Sequence, residues 1–258
     1  MPETTQPHRR AGRPTSRILT RDGITDAALA IVRTKGYESL TIASLAKHLH
    51  VTPSAMYNHA RSKQDIMRSV QDRLMAGIDD TELAGIRRAV AAGEAGPHPW
   101  RHALLAWATS YRDLMARHTS LVHAIATMPI TGAPETLAMY EVVVGALVDV
   151  GWPRDRVLAL IVALESFVYG SAYDVSAPDD IFDTAGFEPS APTFTSVLLE
   201  RSEDAHSYTR SGVGRESFER GAMAIVDAFA AAAGVDCPGA GTWPGDIDAS
   251  PPPPANYA

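Results

Sequence analysis

Apolar residues recur at helical spacing along the first part of the chain, and residues typical of helix starts separate the runs. Thr20 precedes one such run and Gly36 follows it, which predicts an amphipathic helix between them. Thr41 precedes a second, shorter run. Thr52 followed by Pro53 predicts a third, very short helix, because the missing N–H of proline costs nothing at the first helical position.

A fourth helix is predicted from Ser62, because Asp65 three residues later completes the pattern of a capping box. The second and third helices are short and are joined by a tight turn. Small, polar and aromatic residues occupy the third. This arrangement, at about residues 41–60, is typical of a helix-turn-helix motif, which can present its second helix to the major groove of DNA.

The remainder of the chain is rich in alanine and acidic residues, and it contains no convincing strand. Residues 81–92 are consistent with either a helix or a loose connection. Prolines, glycines and acidic residues predict a long loop over 176–214, with one short helix near 193–202. The pattern predicts an all-α protein with further helices over 100–118, 119–126, 135–150, 153–175 and 215–233.

The charge is unevenly distributed. The first seventy residues hold eleven Lys and Arg against five Asp and Glu, whereas the rest holds twelve against twenty-five, for a net charge of −7. Nucleic acid would be attracted to the first segment and repelled by the second, as expected of a DNA-binding module joined to another domain. A chance imbalance is the alternative.

Composition excludes several classes of function. No stretch approaches the roughly 20 uncharged apolar residues of a membrane span, so no membrane partner is expected. The basic first twenty residues lack the apolar run of a secretory signal, and the single cysteine, Cys237, permits neither an intrachain disulfide nor a cysteine zinc site. We expect a cytoplasmic protein. Since the common nucleophile, metal and phosphate-loop motifs are absent, no catalysis and no cofactor are expected.

A family resemblance is carried by three runs of residues: Leu40 to Ala46, Val51 to His59, and Ser62-Lys63. Together they closely resemble the DNA-binding domain of TetR-family transcriptional regulators. The resemblance implies an N-terminal three-helix DNA-binding domain followed by a helical bundle that binds an effector and dimerises. The expected segments are a flexible basic arm (1–16), the DNA-binding domain (17–77), the effector-binding and dimerisation domain (78–234) and a disordered Pro-rich tail (235–258).

The resemblance also implies roles in binding a double-stranded operator. The phosphate contacts would come from helix starts and from basic or aromatic residues, namely Thr41, Thr52, Tyr57, His59 and Lys63. The bases would be read by small or amide side chains, namely Thr52, Ser54, Ala55 and Asn58, with Ser44 adding to them. Arg13 in the basic arm suits a narrow minor groove.

Several of these residues have a purely structural alternative. Thr41 and Thr52 cap helices with or without DNA. Tyr57 could instead pack its ring on the domain core, and the basic arm could be a solvated terminus. His50 stands where the family usually has glycine, at a position that often needs a positive φ, so we expect a strained turn.

Beyond residue 100 the chain resembles, more loosely, the tetracycline-repressor type within that family. The matching residues are Trp100, Ser110-Tyr111-Arg112, His118, Val122-His123, Pro129, Gly151, Phe167, Gly170 and Phe218 to Gly221. The resemblance implies a homodimer in which two long C-terminal helices pair with those of a second subunit. It also implies an effector pocket lined by Trp107, Tyr111, His123, Thr127, Met128, Glu165, Tyr169 and Asp174.

The expected effector is a small hydrophobic molecule other than tetracycline. In the tetracycline-repressor type, a histidine at the position of His123 binds a metal ion that tetracycline carries. No other metal role is expected. Trp107 is bulky where the family has a polar group that holds the drug. Residues of most of these types are more often core residues than ligand contacts.

We therefore expect a transcriptional regulator, most simply a repressor that a small effector releases from a pseudo-palindromic operator. The alternative is a dimeric DNA-binding or architectural protein without an effector. An enclosed cavity between the helices would discriminate between them, because a domain that only dimerises should be filled with side chains.

Overall fold

The structure is a computed structural model. It describes residues 19–94, 96, 98–178, 180–184, 186, 188–203, 210–237 and 243. Within those residues the chain is all-α, with eleven α-helices and no strand, as the apolar periodicity predicts. Arg13 and the basic arm lie outside the described residues, as does most of the Pro-rich tail.

Four helices form the N-terminal part: α1 (Arg21–Lys35), α2 (Ile42–Leu49), α3 (Pro53–Tyr57) and α4 (Lys63–Met75). The predicted N-caps are confirmed, since each helix follows a hydroxyl that accepts a hydrogen bond from the N–H three residues on. These caps are Thr20, Thr41, Thr52 and Ser62. α1 packs against both α2 and α4, so the helix-turn-helix rests on a small apolar core.

The turn between α2 and α3 carries the expected strain. His50 has φ 56° and ψ 40°, a left-handed conformation that no other described non-glycine residue adopts. Its N–H closes the end of α2 on carbonyl oxygens of the last helical turn. The turn angle that separates the two helices is therefore made by a residue with a Cβ atom, which costs about 1 kcal/mol.

Seven helices form the rest of the described chain. They are α5 (Thr81–Ala91), α6 (Trp100–Ala116), α7 (Thr119–Ala126), α8 (Pro134–Asp149), α9 (Arg154–Asp174), α10 (Pro192–Glu203) and α11 (Arg210–Ala233). α9 is central, because it packs against α6 on one side and α11 on another. The segment 81–92, left open by the sequence, is helical as α5, and it lies against α8.

Two glycines permit close helix contacts. Gly145 on α8 leaves no room for a Cβ beside the Arg87 guanidinium, which crosses from α5 to Asp149 at 3.2 Å and to the Glu141 carboxylate at 3.2 Å. Gly221 on α11 similarly accommodates the ring of Phe167 from α9. Gly221 thus permits the close approach of α9 to α11, whereas Gly145 leaves space for the flexible end of Arg87.

Two sequence predictions are wrong in part. α11 begins at Arg210, so the loop predicted to reach residue 214 ends earlier, because packing against α9 overrides the low helix propensity of Gly212 and Gly214. The tail is not uniformly loose either, since Trp243 packs edge-on against Phe218 at 6.5 Å between ring centroids. The backbone carbonyl of Asp236 also accepts a hydrogen bond from Trp100.

α9 is the one described helix that is long and apolar enough, by length and composition alone, to cross a membrane. It packs between α6 and α11 as the central helix of the domain. It also carries a partly buried carboxyl group, Glu165, at its middle. These contacts are those of a core helix, so the feature is weak evidence for a membrane.

Replacing His50 with glycine should stabilise the protein by about 1 kcal/mol, because glycine adopts a positive φ without steric cost. Urea unfolding at fixed protein concentration measures the change. His48→Gly is the matched control: His48 is also exposed but lies inside α2, so glycine there should destabilise by about 0.5–1 kcal/mol. Equal destabilisation by both changes would contradict a strained turn.

Candidate DNA-binding surface and effector cavity

The short helix α3 has one buried side and one exposed polar side. Met56 is fully buried and attaches the helix to the core. Most of the residues predicted to contact DNA are exposed on or beside α3: Thr52, Ser54, Tyr57, Asn58 and His59, with Ala55 half-buried. Tyr57 is 55% exposed, so its ring does not serve as a core residue, and its hydroxyl is available to a phosphate.

Two other residues that were predicted to contact DNA, Ser44 and Lys63, make hydrogen bonds within the protein. The Ser44 hydroxyl donates to the backbone of Ser39 at 2.7 Å and accepts from the N–H of Thr41 at 2.9 Å, so it completes the cap of α2. Lys63 donates to the carbonyl of Tyr37 at 3.1 Å, and its ammonium lies 3.7 Å from the centroid of that ring. The geometry gives Ser44 a structural role and places the Lys63 charge at the start of α4.

α4 connects this surface to the rest of the protein. Ile66, Met67 and Val70 are buried where α4 packs against α1. One turn further, a carboxylate oxygen of Asp72 accepts hydrogen bonds from the backbone N–H (2.9 Å) and the hydroxyl (3.3 Å) of Thr136, at the start of α8. One helix therefore belongs to both parts of the molecule.

A cavity of about 320 Å³ lies where α4, α6, α7, α8 and α9 meet. Its size falls in the range of small-molecule sites, roughly 300–1,000 Å³. The lining residues are Gln71, Met75, Tyr111, Ile125, Ala126, Met128, Ile130, Tyr140, Val162, Glu165, Ser166 and Tyr169. Gln71 and Met75 come from α4, so the helix that begins at Lys63 also forms one wall of this cavity.

A polar cluster occupies the α9 side of the cavity. The Tyr140 hydroxyl donates a short hydrogen bond to Glu165, and the hydroxyls of Tyr111 and Tyr169 lie 2.6 Å apart. Burial raises the pKa of Glu165 above its ordinary value, although hydrogen bonds from Tyr140 and Tyr111 partly oppose the shift. Burial likewise raises the pKa of Tyr169 to about 12. Ionisable groups with shifted pKa values in a cavity are typical of functional sites.

Half of the residues predicted for the pocket are found there: Tyr111, Met128, Glu165 and Tyr169. The other four are not among its lining residues. Trp107 is fully buried behind the cavity, where it packs edge-on against Tyr111 at 5.6 Å between ring centroids. His123 and Thr127 are exposed on the outer side of α7.

Asp174 is the fourth predicted pocket residue outside the lining. It lies at the end of α9, where its Cβ is close to Gly214 of α11. Among the described residues no three His, Cys, Asp or Glu side chains are grouped as a metal site would need. Gln71 and Tyr140 line the cavity but were not predicted, because both have ordinary helical positions in the sequence.

A helix-turn-helix with an exposed second helix, followed by a helical domain with a partly open cavity between its helices, is typical of a bacterial DNA-binding regulator. Residues 24–70 match the family model described as bacterial regulatory proteins, tetR family. Residues 92–227 match the model described as tetracyclin repressor-like, C-terminal domain. The chain therefore belongs to the TetR family of DNA-binding transcriptional regulators, and its predicted resemblance to that family is confirmed.

Relatives extend over most of the chain. An HTH-type transcriptional regulator of Saccharopolyspora erythraea is 28% identical, covering 86% of this chain and 89% of its own length. The class A tetracycline repressor from Escherichia coli transposon 1721 is 27% identical, covering 79% and 87%. The Streptomyces coelicolor protein ActR, solved with actinorhodin, has the same fold with a TM-score of 0.64 and 20% identity over 84% of this chain and 98% of its own.

The raised pKa of Glu165 leads to a prediction about stability. An acid whose pKa is raised by folding favours the folded state at low pH, and this contribution is lost as pH rises through the folded-state pKa. Glu165→Gln should therefore unfold at higher urea than the wild type above neutral pH, with the difference shrinking towards pH 4. Tyr140→Phe removes an opposing hydrogen bond, so it should make the loss with rising pH larger. Parallel pH profiles for all three proteins would contradict this account.

Proposed function

We propose that this protein is a homodimeric repressor, active in the bacterial cytoplasm and without catalytic function, that a small molecule releases from a pseudo-palindromic operator. The observation that carries the proposal is α4, which begins at Lys63 beside the DNA-binding surface and lines the cavity through Gln71 and Met75. A ligand in the cavity would touch the helix that packs against α1 in the DNA-binding domain, and by linkage operator binding must weaken ligand binding equally.

On the DNA, we propose that α3 enters the major groove of each half-site. Tyr57, His59 and Lys63 would hold phosphates, and the N-caps Thr41 and Thr52 would do so at their helix starts. Thr52, Ser54, Ala55 and Asn58 would face the bases, where the Asn58 amide can pair with adenine. Six of these eight side chains are exposed, and only Ala55 and Lys63 are half-buried, which supports the assignment.

We propose effector binding rather than the alternative of a regulator without an effector, because the cavity is polar on one side. The cavity of about 320 Å³ is partly open to solvent at Val162 and Ser166, so a small molecule could enter it, and a domain that only dimerises has no need of such a site. The names of related proteins support a ligand-responsive function. Relatives include tetracycline repressors, and the structurally similar ActR binds actinorhodin.

We propose that the dimer forms through α9 and α11. Leu158 is 67% exposed and Val162 is 50% exposed on one side of α9, a large apolar exposure for the most apolar helix of the domain. α11 packs beside α9 and has small exposed residues, including Ala224 and Ala228. Two such pairs related by a twofold axis would bury both faces in a four-helix bundle.

The DNA assignment predicts two kinds of variant. Lys63→Ala and Tyr57→Phe should weaken binding to operator and random DNA alike, with a salt slope reduced by about 1 for Lys63→Ala. Asn58→Ala should mainly reduce the preference for operator. Mobility-shift titrations against the upstream intergenic DNA, with random competitor at two salt concentrations, measure both effects. Tyr173→Phe, a change to an exposed tyrosine on α9, is the control that should leave DNA binding unchanged.

The opposite outcomes would discriminate among the proposals. Equal effects of all three variants on operator and random DNA would contradict base reading by Asn58. Binding that is sensitive to salt and blind to sequence would contradict an operator-specific repressor and would favour the architectural alternative.

The dimer assignment predicts that Leu158→Glu yields a monomer, because it places a charge in the apolar interface. Sedimentation equilibrium measures the mass. Leu137→Glu is the matched control, since Leu137 is an exposed leucine (48%) on α8, away from this face. A dimer that survives Leu158→Glu but not Leu137→Glu would move the interface to α8.

A further inference from the structure

The polar groups that line the cavity are either acidic or neutral. Among the described residues that line it, Glu165 is the only one with a carboxyl group, and none is Lys, Arg or His. The nearby polar groups are tyrosine hydroxyls, the Ser166 hydroxyl and the amide of Gln71. A bound anion would meet a carboxylate and, among these lining residues, no positive side chain, so they disfavour acidic ligands.

Gln71 offers a hydrogen-bond acceptor without a partner. Its side chain is only 3% exposed, and its Oε1 atom has no hydrogen bond among the described residues. An unpaired buried carbonyl oxygen is destabilising unless a donor reaches it. Since Gln71 lines the cavity, a ligand that carries N–H groups would remove this cost.

Aromatic rings surround the carboxyl group. Tyr111 and Tyr169 pack edge to face at 5.7 Å between centroids, and Tyr140 donates its hydroxyl to Glu165. All three tyrosines line the cavity. The negative faces of aromatic rings attract cations, and a desolvated site strengthens that attraction. A carboxylate among three tyrosines is therefore suited to an ammonium group.

We propose that the effector is a hydrophobic molecule bearing a protonated amine, with the ammonium bound by Glu165 and Gln71 and its apolar body lying against Met75, Ile125 and Met128. The inference rests on the proposed function of the cavity as the effector site. It specifies the chemical class of the ligand, and it assigns Gln71 a contact that attaches the ligand directly to α4.

The electrostatics around Glu165 agree with this assignment. Burial disfavours the charged form of Glu165 and raises its pKa, although Tyr140 and Tyr111 stabilise the charge. A bound cation would compensate the buried carboxylate and keep it ionised. A neutral alcohol could accept or donate hydrogen bonds at the same atoms, but it would offer no such compensation.

Three probes with the same apolar body test the proposal: phenylbutylamine, phenylbutanol and phenylbutanoate. Isothermal titration calorimetry of the full-length dimer should show the amine binding about tenfold or more tightly than the alcohol, and the carboxylate more weakly still. Glu165→Gln should abolish the preference for the amine while retaining alcohol binding, which also reports that the variant is folded. Gln71→Leu should weaken amine binding more than alcohol binding.

Glu219→Gln is the matched control, because Glu219 is a partly buried glutamate on α11 that does not line the cavity. It should leave all three affinities unchanged. If the amine and the alcohol bind the wild type equally, or if the amine preference survives Glu165→Gln, the inference is overturned while the effector site stands. If none of the probes binds and none displaces operator DNA, the proposed effector function falls together with it.

Discussion

The arrangement of the molecule depends on α4 being one continuous helix with two sets of contacts. Its first turns bury Ile66, Met67 and Val70 in the core of the DNA-binding domain. Its later residues meet α8 through the hydrogen bonds from Thr136 to Asp72. At about 1.5 Å per residue, Lys63 and Met75 are separated by about 18 Å along the helix axis. A displacement of one end of α4 is therefore transmitted to the other end by a rigid helix.

The second constraint is a polar cluster in an otherwise apolar domain. Glu165 lies in the middle of the most apolar helix, and its buried carboxyl would be destabilising without partners. Tyr140 from α8 provides a hydrogen bond, while Tyr111 from α6 and Tyr169 from α9 extend the cluster. These polar side chains thereby join α6, α8 and α9 at a place where apolar side chains such as leucine would also pack the helices together, without burying a carboxyl group. A polar cluster at such a place is typical of a binding site, which agrees with the proposal that the cavity binds an effector.

Local signals explain why much of the fold was predictable. N-caps at Thr20, Thr41, Thr52 and Ser62 depend on residues three positions away. The left-handed turn at His50 was expected from the family resemblance, because the family usually has glycine there. The cavity depends on helices far apart in sequence. Around the end of α7, Ile125 lines the cavity, whereas His123 and Thr127, each two positions away, are exposed. Gln71 and Tyr140 gave no periodic signal, because only tertiary packing brings them to one site.

The distance between the cavity and the DNA-binding surface limits how an effector can act. A ligand that touches only α6 to α9 would have to deform the packed domain before the DNA-binding surface responded, and close-packed cores resist gradual deformation. Contact with Gln71 and Met75 avoids that requirement, because both residues belong to α4 itself. A population shift needs a ligand that binds one orientation of α4 better than another. The unpaired Gln71 oxygen is a group whose partner would be gained or lost as α4 moves, so it can provide that difference in affinity.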